Sequence, residues 1–222
     1  MVHQIEKRKF LVFLESFTLT VLIFLLGIFL GLFFEMYRVQ SISDNYANYE
    51  IQSLDLKLQN YYYQIMDKNS CESAIEQNFI FADDLYKDGL RIEKYEEAEQ
   101  LTKNIITEKK RYVLLKTELW LNSIILKEKC GNPFNTVVYF YSNNPDLTTD
   151  AQQDIISNIL GEVKKNAGDK VVLLPIAGDI GLGIVDLQVR NYDINSFPAV
   201  LINENEVLYG VHDADEISGY LN

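Results

Sequence analysis

The chain has 222 residues, 48% of them hydrophobic, with 32 acidic against 20 basic side chains and a formal charge of −12. That length fits one or two domains, and so acidic a surface repels phosphate backbones, which excludes nucleic acid as an expected partner. Two histidines, His3 and His212, lie at opposite ends, and two cysteines complete the thiol inventory. They form no His/Cys metal cluster, Ser-His-Asp set or phosphate-binding loop, so neither a metal nor a cofactor is expected.

From Ser16 to Phe34 run 19 consecutive uncharged residues rich in Leu, Phe and Ile, and the apolar character reaches back to Phe10 with Glu15 as its one interruption. About 20 such residues in a helix span a hydrocarbon core of roughly 30 Å. Residues 10–34 are therefore expected to form a transmembrane helix, with the lipid bilayer as partner. A cleaved signal peptide would show a shorter core and a small-x-small site; Phe34-Glu35-Met36-Tyr37-Arg38 offers neither, which favours an uncleaved signal anchor. Lys7, Arg8 and Lys9 precede the span, and Arg38 is the one base among the next dozen residues. The positive-inside rule makes residues 1–9 a cytoplasmic tail and places the chain from Glu35 onward outside the cell membrane. Glu15, within a turn of the cytoplasmic end, reaches the headgroups. Gly27 and Gly31 permit close helix packing, so a homodimer through them or through the stalk described next is a candidate assembly. Without the three bases and two acids of residues 1–34, the external part keeps 17 bases and 30 acids, a charge of −13. It contains no Asn-x-Ser/Thr acceptor for N-glycosylation.

Residues 35–130 read as a helical stalk, since 44–129 contain no proline and a single glycine, Gly89. Ile51, Leu54, Leu58, Tyr61 and Ile65 step by 3, 4, 3 and 4, the pattern of a helix with a narrow packing seam. Asn69 and Ser70 break this helix and offer an N-cap. A second helix carries Ile75, Phe79, Ala82 and Leu85 on one face; a third carries Leu114, Leu121, Ile124 and Ile125, with Thr117 interrupting its stripe. A small antiparallel bundle or coiled-coil hairpin is expected. Successive helical positions point about 100° apart, so Tyr61, Tyr62 and Tyr63 form no flat platform. Trp120 reads as a packing residue against the adjoining domain.

An even pair of cysteines in an oxidising exterior predicts a Cys71–Cys130 disulfide. Its geometry requires Cα atoms within about 7 Å. A hairpin turning at Asp88-Gly89 would leave the two ends roughly 35 Å apart at 1.5 Å per residue. The bond therefore demands a turn near residues 97 to 104 and two equal arms of about 26 residues. Gly89 then lies inside a helix, at a cost of about 1 kcal/mol.

Residues 131–222 form the last segment. Thr136-Val137-Val138-Tyr139-Phe140-Tyr141-Ser142 is a β-branched and aromatic strand, followed by an amphipathic helix and a second apolar strand at Val171 to Leu174. Ser196 to Ile202, the turn Asn203-Glu204-Asn205, and Glu206 to Gly210 read as a β-hairpin, closed by a short helix from Asp213. Gly178-Asp179-Ile180-Gly181-Leu182-Gly183 has the wrong glycine spacing for a dinucleotide loop and reads as a connection into a helix. Asp146, Asp150 and Asp154 are four apart; they complement a helix N-terminal dipole rather than hold a cation, with Thr149 as N-cap and Gln152 completing a capping box.

This β-α-β plus hairpin and helix resembles the thioredoxin superfamily, and the overall expectation is an α/β fold: transmembrane helix, helical stalk, thioredoxin-like domain. Pro198 stands where the family's cis-proline belongs. At the family's redox position stands Leu147-Thr148-Thr149-Asp150, so the thiols are missing and no catalysis is expected of this domain. The resemblance implies a non-catalytic protein-binding or chaperone-like module, whose partner segment would lie against Leu147, Thr148, Thr149, Asp150, Phe197 and Pro198. The alternative is a thiol-disulfide oxidoreductase, or an accessory to one, using Cys71 and Cys130.

Overall fold

The computed structural model describes the backbone of residues 2–97 and 103–221. It divides into two compact units, Met1–Ile51 and Gln52–Asn222. The side chains of Lys7, Arg8, Lys9 and Arg38, on which the expected orientation rests, lie outside the described ones.

Helix α1 (Val2–Ile65) is continuous over 64 residues. Within it Leu14–Phe33, 20 residues of mean hydropathy 2.5 with none buried, is long and apolar enough to cross a membrane. The second unit holds the rest. Here α1 ends at Ile65, a short 3-10 turn Lys68–Ser70 follows, and α2 (Cys71–Glu97) leads to α3 (Lys103–Cys130). Asp67 rather than Asn69 or Ser70 supplies the cap at this break, its carboxylate accepting the Asn69 N–H at 2.9 Å. The arms contain 27 and 28 residues. Of the residues 97 to 104 expected to hold the reversal, 98–102 lie outside the described residues. Cys71 and Cys130 are disulfide-bonded, with Cα atoms 5.7 Å apart. Gly89 lies within α2, and a side chain there would overlap the Tyr112 hydroxyl of α3. Close approach of the two arms accounts for the glycine.

Of the three apolar stripes, the second is buried as expected: Phe79 and Leu85 lie in the core, with Ile75 and Ala82 half-covered beside them. The first is a correction. Ile51, Leu54, Leu58, Tyr61 and Ile65 are 57–82% exposed, while Leu56 and Tyr63, seven apart on the opposite side, are buried. The reason is that α1 meets α3 through a polar layer. Asn60 Nδ2 donates to Asn122 Oδ1 at 2.6 Å, Asn122 Nδ2 donates to the Leu56 carbonyl at 3.0 Å, and Ser53 reaches Glu118. The third stripe is corrected similarly: Leu114 and Leu121 face solvent, and Thr117 is buried, its hydroxyl returned to the Val113 carbonyl at 2.9 Å. Helix α3 is packed on two sides, so the face that one apolar stripe would mark does not exist.

Strands β1 (Asn135–Tyr141), β2 (Val171–Ala177), β3 (Ala199–Ile202) and β4 (Glu206–Tyr209) form one sheet in the order β2-β1-β3-β4. Strands β1 and β2 are parallel; β3 pairs antiparallel with both β1 and β4. Their side chains alternate between two faces. Val137, Tyr139, Val171, Val200 and Ile202 pack against Ile156, Leu160 and Val163 of α4 (Leu147–Ala167) and Ile217 of α6 (Ala214–Ser218). The other face meets α3, where the fully buried Trp120 contacts Phe140, ring centroids 5.9 Å apart, and Tyr192, 5.4 Å apart. Tyr192 ends α5 (Gly183–Asn191). The expected role of Trp120 as a packing residue holds.

Two buried cations tie α3 to the sheet: Lys116 Nζ donates to the Pro175 carbonyl of β2 at 2.7 Å, and Lys127 makes the larger set of bonds. Lys127 Nζ, on a side chain 7% exposed, donates at 2.9 Å each to Thr136 Oγ1 of β1, Asn203 Oδ1 and Glu204 Oε2. Trp120 Nε1 donates to the other oxygen of the same carboxylate at 2.8 Å.

Non-reducing peptide mapping is expected to find a single Cys71–Cys130 cross-link; replacing both by serine should lower the unfolding free energy in urea by about 4 kcal/mol, the chain-entropy value for a loop of this size. Lys127→Met should cost about 3–5 kcal/mol because the Glu204 carboxylate is left without its cation. Adding Glu204→Gln to that variant should restore much of the loss, and strictly additive losses in the double variant would exclude the coupling.

Candidate functional site

The family-implied residues sit at one end of the sheet, where β1 and β2 run out and β3 begins. Pro145 keeps the residue before it extended, and Asp146 then caps α4. Its carboxylate accepts the Thr149 N–H at 2.7 Å, with Asp146 itself in extended backbone at φ −74° and ψ 170°. This corrects the expectation that Thr149 is the cap: Thr149 is the third helical residue, and its N–H is the donor being satisfied. Helix α4 therefore starts at Leu147, which is 91% exposed, followed by exposed Thr148, half-buried Thr149 and exposed Asp150. The hydrogen bond from the Thr149 backbone holds the Asp146 carboxyl below the usual carboxylate range, and a further bond to Thr149 adds to it.

Across the end of the sheet, Pro198 is buried directly before β3, and the Phe197–Pro198 peptide bond is cis. The half-buried Phe197 ring lies on the α-carbon of Gly178, where any side chain would overlap it. Gly178, just beyond β2, donates its N–H to the Tyr141 carbonyl at 2.8 Å. Asp179 then joins the two loops: its carboxylate accepts the Ser142 hydroxyl at 2.7 Å and the Asn143 N–H at 2.6 Å. Gln153 of α4 accepts the Ser142 N–H at 2.7 Å, and the Tyr139 hydroxyl donates to the Gln153 carbonyl. Burial pushes the Tyr139 hydroxyl pKa upward, with the charge of Asp154 adding to the effect, so this phenol stays a neutral donor.

Sequence reasoning thus found Leu147 to Asp150 and Phe197-Pro198 as two segments, and topology brings both to the same sheet end. It missed Ser142, Gln153, Gly178 and Asp179, which lock the loops between them. The glycine and acid at 178–179 read as a connection; a Gly-Asp pair directly after a buried strand is the one signal in the sequence, and it is weak. Among the described residues no group of three His, Cys, Asp or Glu side chains is placed to hold a metal ion, and Asp146 is engaged in capping. In the apolar part of α1, a side chain at Gly27 or Gly31 would meet nothing within 4 Å.

No family model matches the chain, and no curated protein does. A solved structure described as "Structure of a malarial protein" is 15% identical to it, covering 39% of this chain and 92% of that one with a TM-score of 0.30. A likeness of that size carries no argument about fold.

The capping arrangement makes a pH-dependent prediction. A carboxyl held low in the folded state contributes stability above its unfolded value near 3.9, and that contribution is lost as pH falls through the folded value. Asp146→Ala should therefore melt below the parent at neutral pH, with the two converging in acid below about pH 4. Thr149→Val, which retains the donating N–H and removes the side-chain bond, should lose less than Asp146→Ala; a Thr149→Val loss as large as that of Asp146→Ala would restore Thr149 as the cap.

Proposed function

We propose that this chain is a membrane-anchored protein, N-terminus cytoplasmic, whose external thioredoxin-like domain has no redox motif and binds protein or peptide segments without chemistry. The reading is carried by one arrangement: β-α-β followed by a hairpin and helix in the order β2-β1-β3-β4, with Leu147–Asp150 and Phe197-Pro198 at one sheet end. No cysteine occurs from 134 to 222. The apolar span Leu14–Phe33 and the bases at 7–9 support the anchor and its orientation.

A thiol-free site of this shape retains what strand recognition needs. An extended segment satisfies its backbone along the loop before β3 and places alternate side chains against apolar contacts. Leu147 supplies such a contact at the first turn of α4, and the Phe197 ring, seated on Gly178, supplies a second. The oxidoreductase reading gains one feature, since Cys71 opens α2, where a thiolate would be favoured. Against it, Cys71 and Cys130 close a loop with a sequence separation of 59 and clamp the two arms; a structural disulfide resists cycling.

Replacing both Leu147 and Asp150 by cysteine tests the alignment on which the reading rests. With Cys71–Cys130 intact, the two new thiols should bond under mild oxidation, the first with a pKa below the free value of about 8.5. The variant should exchange with a model disulfide, and the unaltered chain should not. Failure to bond in a variant that keeps its fold would overturn the assignment. Exchange by the unaltered chain, abolished by Cys71→Ser, would instead establish the oxidoreductase.

A further inference from the structure

From Tyr49 to Ile65 helix α1 presents two opposite faces, and among these described residues only one face is packed within the chain. Assign Leu54 and Leu58 to heptad positions d and a, with Tyr61 and Ile65 following as d and a. Between Tyr49 and Ile65 every residue at a, d, e or g is then exposed, and every residue at b, c or f is buried or half-buried. The f positions, Leu56 and Tyr63, pack inward: the Leu56 carbonyl accepts from Asn122, and the Tyr63 hydroxyl donates to the Ala74 carbonyl. The exposed a and d positions are not the polar residues that a solvated helix face carries. They are Leu54 at 57%, Leu58 at 58%, Tyr61 at 65% and Ile65 at 82% exposure, preceded by Ile51 at 66%.

We propose that this face is a parallel homodimer interface, in which α1 of one copy pairs in register with α1 of a second copy. The spacing itself names the partner. In a parallel two-stranded coil, a meets a and d meets d, so a 3-4 stripe is complementary to its own copy without shift. Orientation rests on the membrane-anchor reading above: a bilayer holds every copy with the same end inside, so two α1 helices that meet must run parallel. Lipid does not compete for the face, because Ile51 is 18 residues beyond Phe33, about 27 Å of helix, which clears the headgroup region of roughly 5–8 Å.

The area agrees with a tethered pair. Side chains of these sizes and exposures present on the order of 500 Å² per copy, the upper range for the largest apolar patch of a monomer. A pair would bury roughly 1,000 Å², the lower limit for a specific interface; confinement to one membrane raises the effective concentration that such an interface requires. At the flanks, Lys57 (g) faces Tyr62 (e) of the second copy, an ammonium over an aromatic ring.

Single cysteines in the full-length chain, in its own membrane, test the pairing. Leu54→Cys and Ile65→Cys should each cross-link to themselves under mild oxidation. The two variants co-expressed should give no Leu54→Cys to Ile65→Cys product, which is the pair that antiparallel helices would form. Glu76→Cys, on the exposed side of α2, should not cross-link. Leu58→Asp added to Leu54→Cys should reduce the dimer at least about tenfold while the Cys71–Cys130 bond and circular dichroism stay unchanged. Equal cross-linking at Glu76→Cys, a mixed 54–65 product or persistence of the dimer with Leu58→Asp would each overturn the proposal. Carbonate extraction of the same membranes reads the anchor separately: release of the chain would refute the anchor, whereas retention together with no cross-linking would refute the dimer alone.

Discussion

The Lys127 ammonium is the constraint around which the second unit is organised. Removing an ammonium from water costs several kcal/mol unless its donors are met, and here three acceptors converge from two stretches of chain, one 9 residues from Lys127 and the other 76 and 77 residues away. Thr136 is the second residue of β1, and Asn203 and Glu204 lie in the β3–β4 turn, both in left-handed backbone with φ 50° and 58°. Neither is a glycine, so each accepts a backbone conformation disfavoured for its side chain. Their side chains supply the compensation. Asn203 Oδ1 also accepts the Thr136 N–H at 3.1 Å, and its amide donates to Asn135 at 2.7 Å, while Glu204 takes Lys127 and Trp120 together. The β3–β4 turn is thereby tied to the last turns of α3, beside the packing of Trp120 on Phe140.

This coupling explains what was readable in the sequence and what was not. Strand order, the hairpin, the paired arms and the disulfide follow from local signals: β-branched runs, turn residues, and two cysteines whose spacing forces a single hairpin geometry. Trp120 was readable because a lone indole among apolar helix residues has few places to go. The inward faces of α1 and α3 were not readable. Periodicity counts apolar side chains, whereas α1 is joined to α3 by Asn60 and Asn122, and α2 to α3 by Asn78 and Ser123, bonded at 3.0 Å. Polar residues that satisfy one another in the interior leave the same trace in a sequence as polar residues facing water.

The candidate site shows the same limit at smaller scale. Its two named segments were found by element order, but the loops that hold them depend on Gly178 leaving room for the Phe197 ring and on Asp179 bridging to Ser142 and Asn143. Those contacts join residues 19 and 36 or 37 positions apart. No local pattern encodes them. Nor does any local pattern distinguish Asp146 from Thr149 as the cap, since both residue types serve.

Rotation of α1 about its own axis would interchange its two faces, and the C-terminal end of the helix prevents this. Lys129 Nζ donates to the Tyr63 carbonyl at 2.8 Å and to the Gln64 carbonyl, meeting two of the acceptors that a helix leaves unsatisfied at its last turn. Lys129 adjoins Cys130, which the disulfide holds against the start of α2, so the point of attachment is anchored covalently within one residue. Asn60 and Asn122 fix the helix one turn earlier. With the azimuth set at two levels by directional hydrogen bonds rather than by apolar packing alone, turning Leu54, Leu58 and Ile65 inward would require breaking these bonds and burying their donors unpaired, at about 1–3 kcal/mol for each group. The outward apolar stripe is consequently held in place by the polar face opposite it.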